Sequence, residues 1–157
     1  MRRAVFAGSF DPPTLGHLDL VRRGLALFDG VVVGVGHNPN KKRALSLEVR
    51  LDLLRRALAD LPAARVEAFE GLTVAFARQV GAVALIRGVR DANDLAYETP
   101  LARANREMTG VETVFLLADP RFAHVSSSLM KEIFGAGGDI SAWVAPAAVD
   151  ALRQSRR

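Results

Sequence analysis

A chain of 157 residues, half of them apolar, can bury a core of its own, and a single domain over 1–157 is expected. It has no cysteine, which excludes disulfide frameworks, thiolate metal sites and cysteine nucleophiles and suits a reducing, cytoplasmic setting. A formal charge of +4 favours anionic ligands without choosing among them, no segment approaches the roughly 20 apolar residues of a membrane span, and the apolar run behind Arg2 and Arg3 is too short for a signal peptide.

Short runs rich in Val, Ile, Phe and Ala alternate with stretches of helical period, the pattern of an α/β fold with a parallel sheet and crossover helices. Five strands are predicted: Ala4 to Ala7, Val31 to Val35, Arg65 to Phe69, Val83 to Ile86 and Thr113 to Ala118. Their near-continuous apolarity predicts burial on both faces. The first helix is marked by Leu18, Val21, Leu25 and Phe28, and the second by Leu47, Leu51, Leu54, Leu58 and Leu61. A third spans Leu72 to Val80, and a fourth lies between Asp91 and Met108, with Pro100 placed to interrupt it. A fifth opens near Ser126 and stops at Gly135, Gly137 and Gly138. Pro146 stands in the first turn of a last helix carrying Val149 and Leu152, with a frayed end from Ser155 to Arg157.

In such a sheet ligands bind beyond the carboxyl ends of the strands, so the turns there are the places to search. After the first strand comes Gly8-Ser9-Phe10-Asp11-Pro12-Pro13-Thr14-Leu15-Gly16-His17. A glycine turn leading into a helix N-terminus presents unpaired N–H groups and a dipole to an anion. Gly8 and Gly16 let the backbone approach phosphate, Ser9 adds a hydroxyl, and a neutral His17 still offers an N–H; Thr14 is also an ordinary N-cap residue. After the second strand, Lys41, Lys42 and Arg43 stand together, either a solvated basic loop or a reach over the site. The fourth strand runs into Arg87-Gly88-Val89-Arg90, two guanidiniums that need an anion or a carboxylate such as Asp91 or Asp94. After the fifth, Ser126, Ser127 and Ser128 open a helix, as caps or as a cradle for a nucleotide, with Lys131 one turn inside.

Other features carry less. Gly34-Val35-Gly36 lacks the third glycine of a dinucleotide fingerprint. His37 and His124 read as loop histidines, no protein-built metal site is expected, and Trp143 reads as core or interface filler.

Taken together, Gly8 to His17, Asn38 to Lys42, Ile86 to Arg90 with Tyr97-Glu98, and Ser126 to Glu132 resemble the bacterial phosphopantetheine adenylyltransferase family over nearly the whole chain. The resemblance implies a Rossmann-like nucleotidyltransferase fold with helices on both faces of a five-stranded parallel sheet. It implies transfer of AMP from ATP to 4′-phosphopantetheine, with Mg2+ held by ATP phosphates and water, in a homohexamer for which coenzyme A is a feedback ligand. By position, Ser9, Lys41, Thr73 and Arg87 would contact phosphopantetheine. Ser9, Phe10, His17, Gly88, Val89, Arg90, Glu98 and the segment Phe122, Ala123, His124, Val125, Ser126, Ser127 and Ser128 would hold ATP, with His17, Lys41, Arg90 and Ser127 carrying catalysis. Thr73, His37 and Pro100 depart from the family's usual residues and bear on acceptor fit and local helix geometry.

The chemistry agrees with the residues. A phosphate monoester is largely ionised at neutral pH and needs no general base, so a site of positioning groups and cations suffices. The alternatives are a nucleotidyltransferase acting on nicotinamide mononucleotide or glycerol 3-phosphate, or a non-catalytic nucleotide-binding or nucleic-acid module. Cations gathered at strand ends rather than along one face speak against nucleic acid, and no membrane partner is expected.

Overall fold

The computed structural model describes residues 1–156. In chain order the elements are β1 (Arg3–Gly8), α1 (Leu15–Leu25), β2 (Gly30–Gly36), α2 (Leu47–Ala57), β3 (Ala64–Phe69), α3 (Thr73–Gln79), β4 (Ala82–Val89), α4 (Ala92–Thr109), β5 (Glu112–Leu117), α5 (Ser127–Gly135) and α6 (Pro146–Gln154). A 3-10 turn, Pro120–Phe122, precedes α5. All strand pairs are parallel, in the order β3-β2-β1-β4-β5. The chain builds outward from β1 through β2 to β3, then returns through α3 to lay β4 on the other side of β1. That reversal opens a crevice between the carboxyl ends of β1 and β4.

Alternation along the strands feeds two cores. Ala4, Phe6, Val31, Val33, Val35 and Ile86 meet Leu18 and Val21 of α1 and Leu54 of α2 on one face. Val5, Ala7, Val32 and Leu85 meet Val74, Phe76 and Ala77 of α3 on the other. A third cluster joins Leu45 and Leu53 to Met130 of α5, Ile140, Val144 and Leu152 of α6.

All five strands and all six helices fall where the sequence places them, with informative differences. Burial on both faces holds for β1 and β2 but not for the edge strands: no residue of β3 or β5 is fully buried, and Leu117 is 70% exposed. Phe28 and Leu61 keep the apolar rhythm but lie beyond the ends of α1 and α2, packing as turn residues. Pro100 does not break α4, which runs unbroken from Ala92 to Thr109. The proline removes one N–H from a helix that buries none of its residues, so the freed carbonyl keeps access to water, while Thr99 Oγ1 donates to Leu95 O at 2.6 Å beside it. Of the expected frayed end, Ser155 caps α6, and Arg157 lies outside the described residues. Among the described residues no helix is long and apolar enough to cross a membrane.

Candidate active site

The turn from β1 to α1 is held from three directions. Phe10 adopts a positive φ of 49°, uncommon for a residue with a side chain, and its buried ring packs edge-on against Phe6 and against His17 at 5.0 Å between centroids. A Cβ on Gly8 would press the Phe10 ring at 3.2 Å, and one on Gly16 would lie 3.2 Å from Phe122 Cβ. Both glycines therefore permit close packing, where the sequence suggested phosphate approach. Asp11 is buried and accepts from Ala44 N at 3.0 Å, Leu45 N at 2.9 Å and Lys131 Nζ at 3.2 Å. Burial pushes its carboxyl up, but the two amides and Lys131 outweigh that and leave it below the ordinary aspartate value. Lys131 is thus spent on Asp11, not on the nucleotide cradle the sequence suggested.

Thr14 and His17 form a reciprocal cap on α1. Thr14 Oγ1 accepts from His17 N at 3.3 Å, and Thr14 N donates to His17 Nδ1 at 3.0 Å. Because Nδ1 accepts a backbone N–H, the ring proton sits on Nε2. Burial pushes the imidazole down to about 4, so at neutral pH the ring is uncharged and offers a single Nε2–H. The first amide of α1 is taken as well, Leu15 N donating to Trp143 O at 2.8 Å. Trp143 packs in the third core cluster with its ring edge-on to His124, so both residues brace the site from behind.

His17 stands on the wall of a cavity of about 430 Å³ in the crevice between β1 and β4. Gly8, Ser9 and Phe10 line it from the end of β1 and the turn after it, Arg87, Gly88 and Arg90 from the end of β4 and just beyond, Glu98 from α4, and Phe122, Val125, Ser126 and Ser127 from the segment after β5. Arg87 donates from Nε and Nη2 to both carboxylate oxygens of Glu98 and from Nη1 to Ala7 O at 3.2 Å. Arg90 holds Asp94 at 2.8 and 3.2 Å, the carboxylate pairing the sequence left open, and its Nη1 makes no hydrogen bond among the described residues. Gly88 is small because a Cβ there would collide with Leu20 of α1. Ser126 Oγ caps α5 by accepting from Leu129 N at 3.1 Å, and Ser127 Oγ donates to Pro12 O at 2.8 Å. The Ser127 hydroxyl is therefore engaged by the chain itself, and what it presents to an anion is its amide at the helix N-terminus.

Lys41 lies elsewhere. It lines a second cavity of about 350 Å³ with His37, Asn38, Arg43, Glu70 and Ser9, and among the described residues Ser9 alone lines both cavities. His37 Nε2 sits 3.8 Å from Glu70, so this histidine is on a cavity wall rather than in an idle loop. Thr73, first residue of α3, follows Gly71 of the second cavity but lines neither, and Val89, Ala123, His124 and Ser128 also stand off both walls.

Two residues escaped the sequence reading. Asp11 lies inside the Gly8 to His17 motif, where the sequence alone gives it no role. Arg50 occupies the apolar side of α2, three residues after Leu47 and four before Leu54, and is 1% exposed. A cation in an apolar stripe was the available signal.

The cytidylyltransferase-like family matches residues 5–133. A phosphopantetheine adenylyltransferase of Nocardioides sp. is 52% identical over 147 residues, covering 94% of this chain and 92% of its own. Another from Kocuria rhizophila is 50% identical over 97% of this chain and 98% of its own, and one from Bacteroides fragilis 42% over 92% and 96%.

Proposed function

The chain belongs to the cytidylyltransferase-like family and, within it, to the phosphopantetheine adenylyltransferases, and from that premise we propose how its residues divide the work. It transfers the adenylyl group of ATP to 4′-phosphopantetheine, giving dephospho-coenzyme A and pyrophosphate in coenzyme A biosynthesis. ATP occupies the first cavity, between Arg90 and the N-terminus of α5, and the acceptor enters past Lys41 and Thr73, with Ser9 at the seam and Arg87 reaching its phosphate. A phosphate oxygen of the acceptor, already ionised, attacks the α-phosphorus; the bond to the β-phosphate oxygen breaks, and pyrophosphate leaves with that electron pair. No covalent enzyme intermediate forms. His17 donates its Nε2–H to an α-phosphate oxygen as charge gathers there, and Lys41, Arg90 and the Ser127 amide share the remaining charge. The observation that carries this reading is the cap-locked His17 lining one cavity together with Arg87 and Arg90.

Magnesium fits as a partner of the nucleotide. Each carboxylate on the first cavity's wall, Asp94, Glu98 and Asp119, is already held by an arginine, so the ion's ligands would be phosphate oxygens and water. When bound with the nucleotide, the ion would supply positive charge to offset that on the leaving pyrophosphate.

The same reading makes the protein a cytoplasmic homohexamer of single-domain chains with coenzyme A as a feedback ligand. The exposed Leu95, Tyr97, Leu101 and Met108 of α4, none of whose residues is fully buried within its own chain, support an interface there. Sedimentation of the protein and of Leu101→Glu tests it: a hexamer that dissociates on substitution is expected, and a monomeric parent contradicts it. Pyrophosphate release tests the activity, with ATP or CTP against phosphopantetheine, nicotinamide mononucleotide and glycerol 3-phosphate. Turnover confined to ATP with phosphopantetheine is expected, and preference for either other acceptor overturns the assignment.

A further inference from the structure

Beyond Gly8 and Gly36 the paired strands β1 and β2 separate, β1 into the Ser9 turn and β2 into the Lys41 loop. Their ends still run side by side there, a Cβ on Gly36 lying 3.6 Å from Gly8 O. The ladder that sets their spacing stops at this point, yet the acceptor reading above needs Ser9 and Lys41 at a fixed separation.

Arg50 of α2 spans the gap. Its Nη1 donates to Ser9 O at 2.7 Å and to Gly36 O at 3.2 Å, two carbonyls on the two diverging chains, and one nitrogen with two hydrogens satisfies both. Burial lowers the pKa of the guanidinium from its ordinary value, with Asp11 acting against that and Arg43 reinforcing it. Its Nε is buried without a hydrogen-bond partner among the described residues. A buried cation with an unmet donor costs stability that an apolar residue in the same stripe would not, so the arrangement is poorly explained as a stabilising contact. What Arg50 supplies and a leucine could not is a two-point hold on the seam between the cavities.

We propose that Arg50 is a positioning residue for the acceptor half of the reaction: by gripping Ser9 O and Gly36 O together it sets the distance between the Ser9 turn and the Lys41 loop. It reaches neither cavity wall, so it acts through those backbones and not by touching substrate. The proposal rests on the placement of phosphopantetheine between Ser9 and Lys41.

The test is steady-state pyrophosphate release by the full chain, with thermal unfolding, for the parent, Arg50→Lys and Arg50→Met. Parent turnover with phosphopantetheine, measured alongside, tests the acceptor assignment by itself. The expected result is a KM for phosphopantetheine raised about tenfold or more in Arg50→Met and by a smaller factor in Arg50→Lys, which keeps the charge but loses the fork. The KM for ATP stays within about threefold and the melting temperature within a few degrees. Unchanged kinetics, or equal losses for both substrates in step with a lower melting temperature, would overturn the proposal. Failure of both variants to fold would overturn it too, by assigning Arg50 to the fold.

Discussion

Replacing His17 removes two things the structure separates. One is the Nε2–H on the cavity wall; the other is the Nδ1 acceptor that closes the cap on α1. Loss of a preorganised donor to a developing oxyanion costs on the order of 10²- to 10³-fold in turnover. Loss of the cap and of the edge contact to Phe10 costs about 1–2 kcal/mol of stability, a few degrees in melting temperature for a chain of this size. His17→Ala should show both effects. His17→Gln should separate them, because glutamine is an ordinary partner at this position of a capping box and can accept from Thr14 N, while its amide does not reproduce the ring's placement of a donor. Its stability should return to within about 0.5 kcal/mol of the parent with turnover still down at least tenfold. The assays are pyrophosphate release at saturating substrates and thermal unfolding. Turnover of His17→Ala within threefold of the parent would refute the role, whatever happened to stability.

Lys41→Ala should raise KM for phosphopantetheine by about 10- to 100-fold, the worth of one charge-assisted contact, with a smaller change for ATP; steady-state kinetics with each substrate varied would show the reverse pattern if Lys41 served the nucleotide. His17, depressed to about 4, stays neutral down to pH 5, so kcat/KM should fall on acidification only as the acceptor's own phosphate protonates near pH 6. A pH profile with a second histidine-like step, absent from His17→Gln, would contradict that. Because the depressed group binds its proton less readily folded than unfolded, its contribution to stability is lost as pH falls from about 6.5 towards 4, and His17→Gln should flatten acid unfolding in that window. Asp11→Asn leaves one of three donors unmatched and should cost about 1–3 kcal/mol at neutral pH. The Asp11 carboxylate contributes above the ordinary aspartate pKa and less as pH falls through its lower folded value, so the deficit should shrink below pH 4, as chemical denaturation across pH would reveal. Gly88→Ala drives a methyl into Leu20 and should lower stability by about 1–3 kcal/mol; a melting temperature unchanged or raised would show that α1 yields freely there.

The fold was legible because burial in a parallel sheet leaves a one-dimensional trace. Val31 to Val35 reads as a strand from composition alone, and its interior position in the sheet, between β3 and β1, is why. Edge position has no such trace, so the partly buried Val66 and the exposed Leu117 look in sequence like residues of a buried strand. Gly8 to His17 was recognisable as an anion site because strand exit, glycine and helix start are consecutive. What could not be read was which polar groups the chain spends on itself. Nothing local says that Lys131 pairs with Asp11, 120 positions away, that Ser127 turns its hydroxyl to Pro12, or that Arg50 ties Ser9 to Gly36. Those partners are set by packing α2 and α5 against the first turn, a long-range outcome. Lys41 shows the same limit, since its loop position was clear but its opening onto a second cavity, joined to the first at Ser9, was not.

A crystal structure of the protein with a non-hydrolysable ATP analogue and phosphopantetheine tests the central claim most directly. An α-phosphate oxygen about 2.7–3.1 Å from His17 Nε2, with the acceptor phosphate approaching from the Ser9 and Lys41 side, is the predicted result. Triphosphate bound in the Lys41 cavity, or an α-phosphate beyond hydrogen-bonding reach of His17, would contradict it.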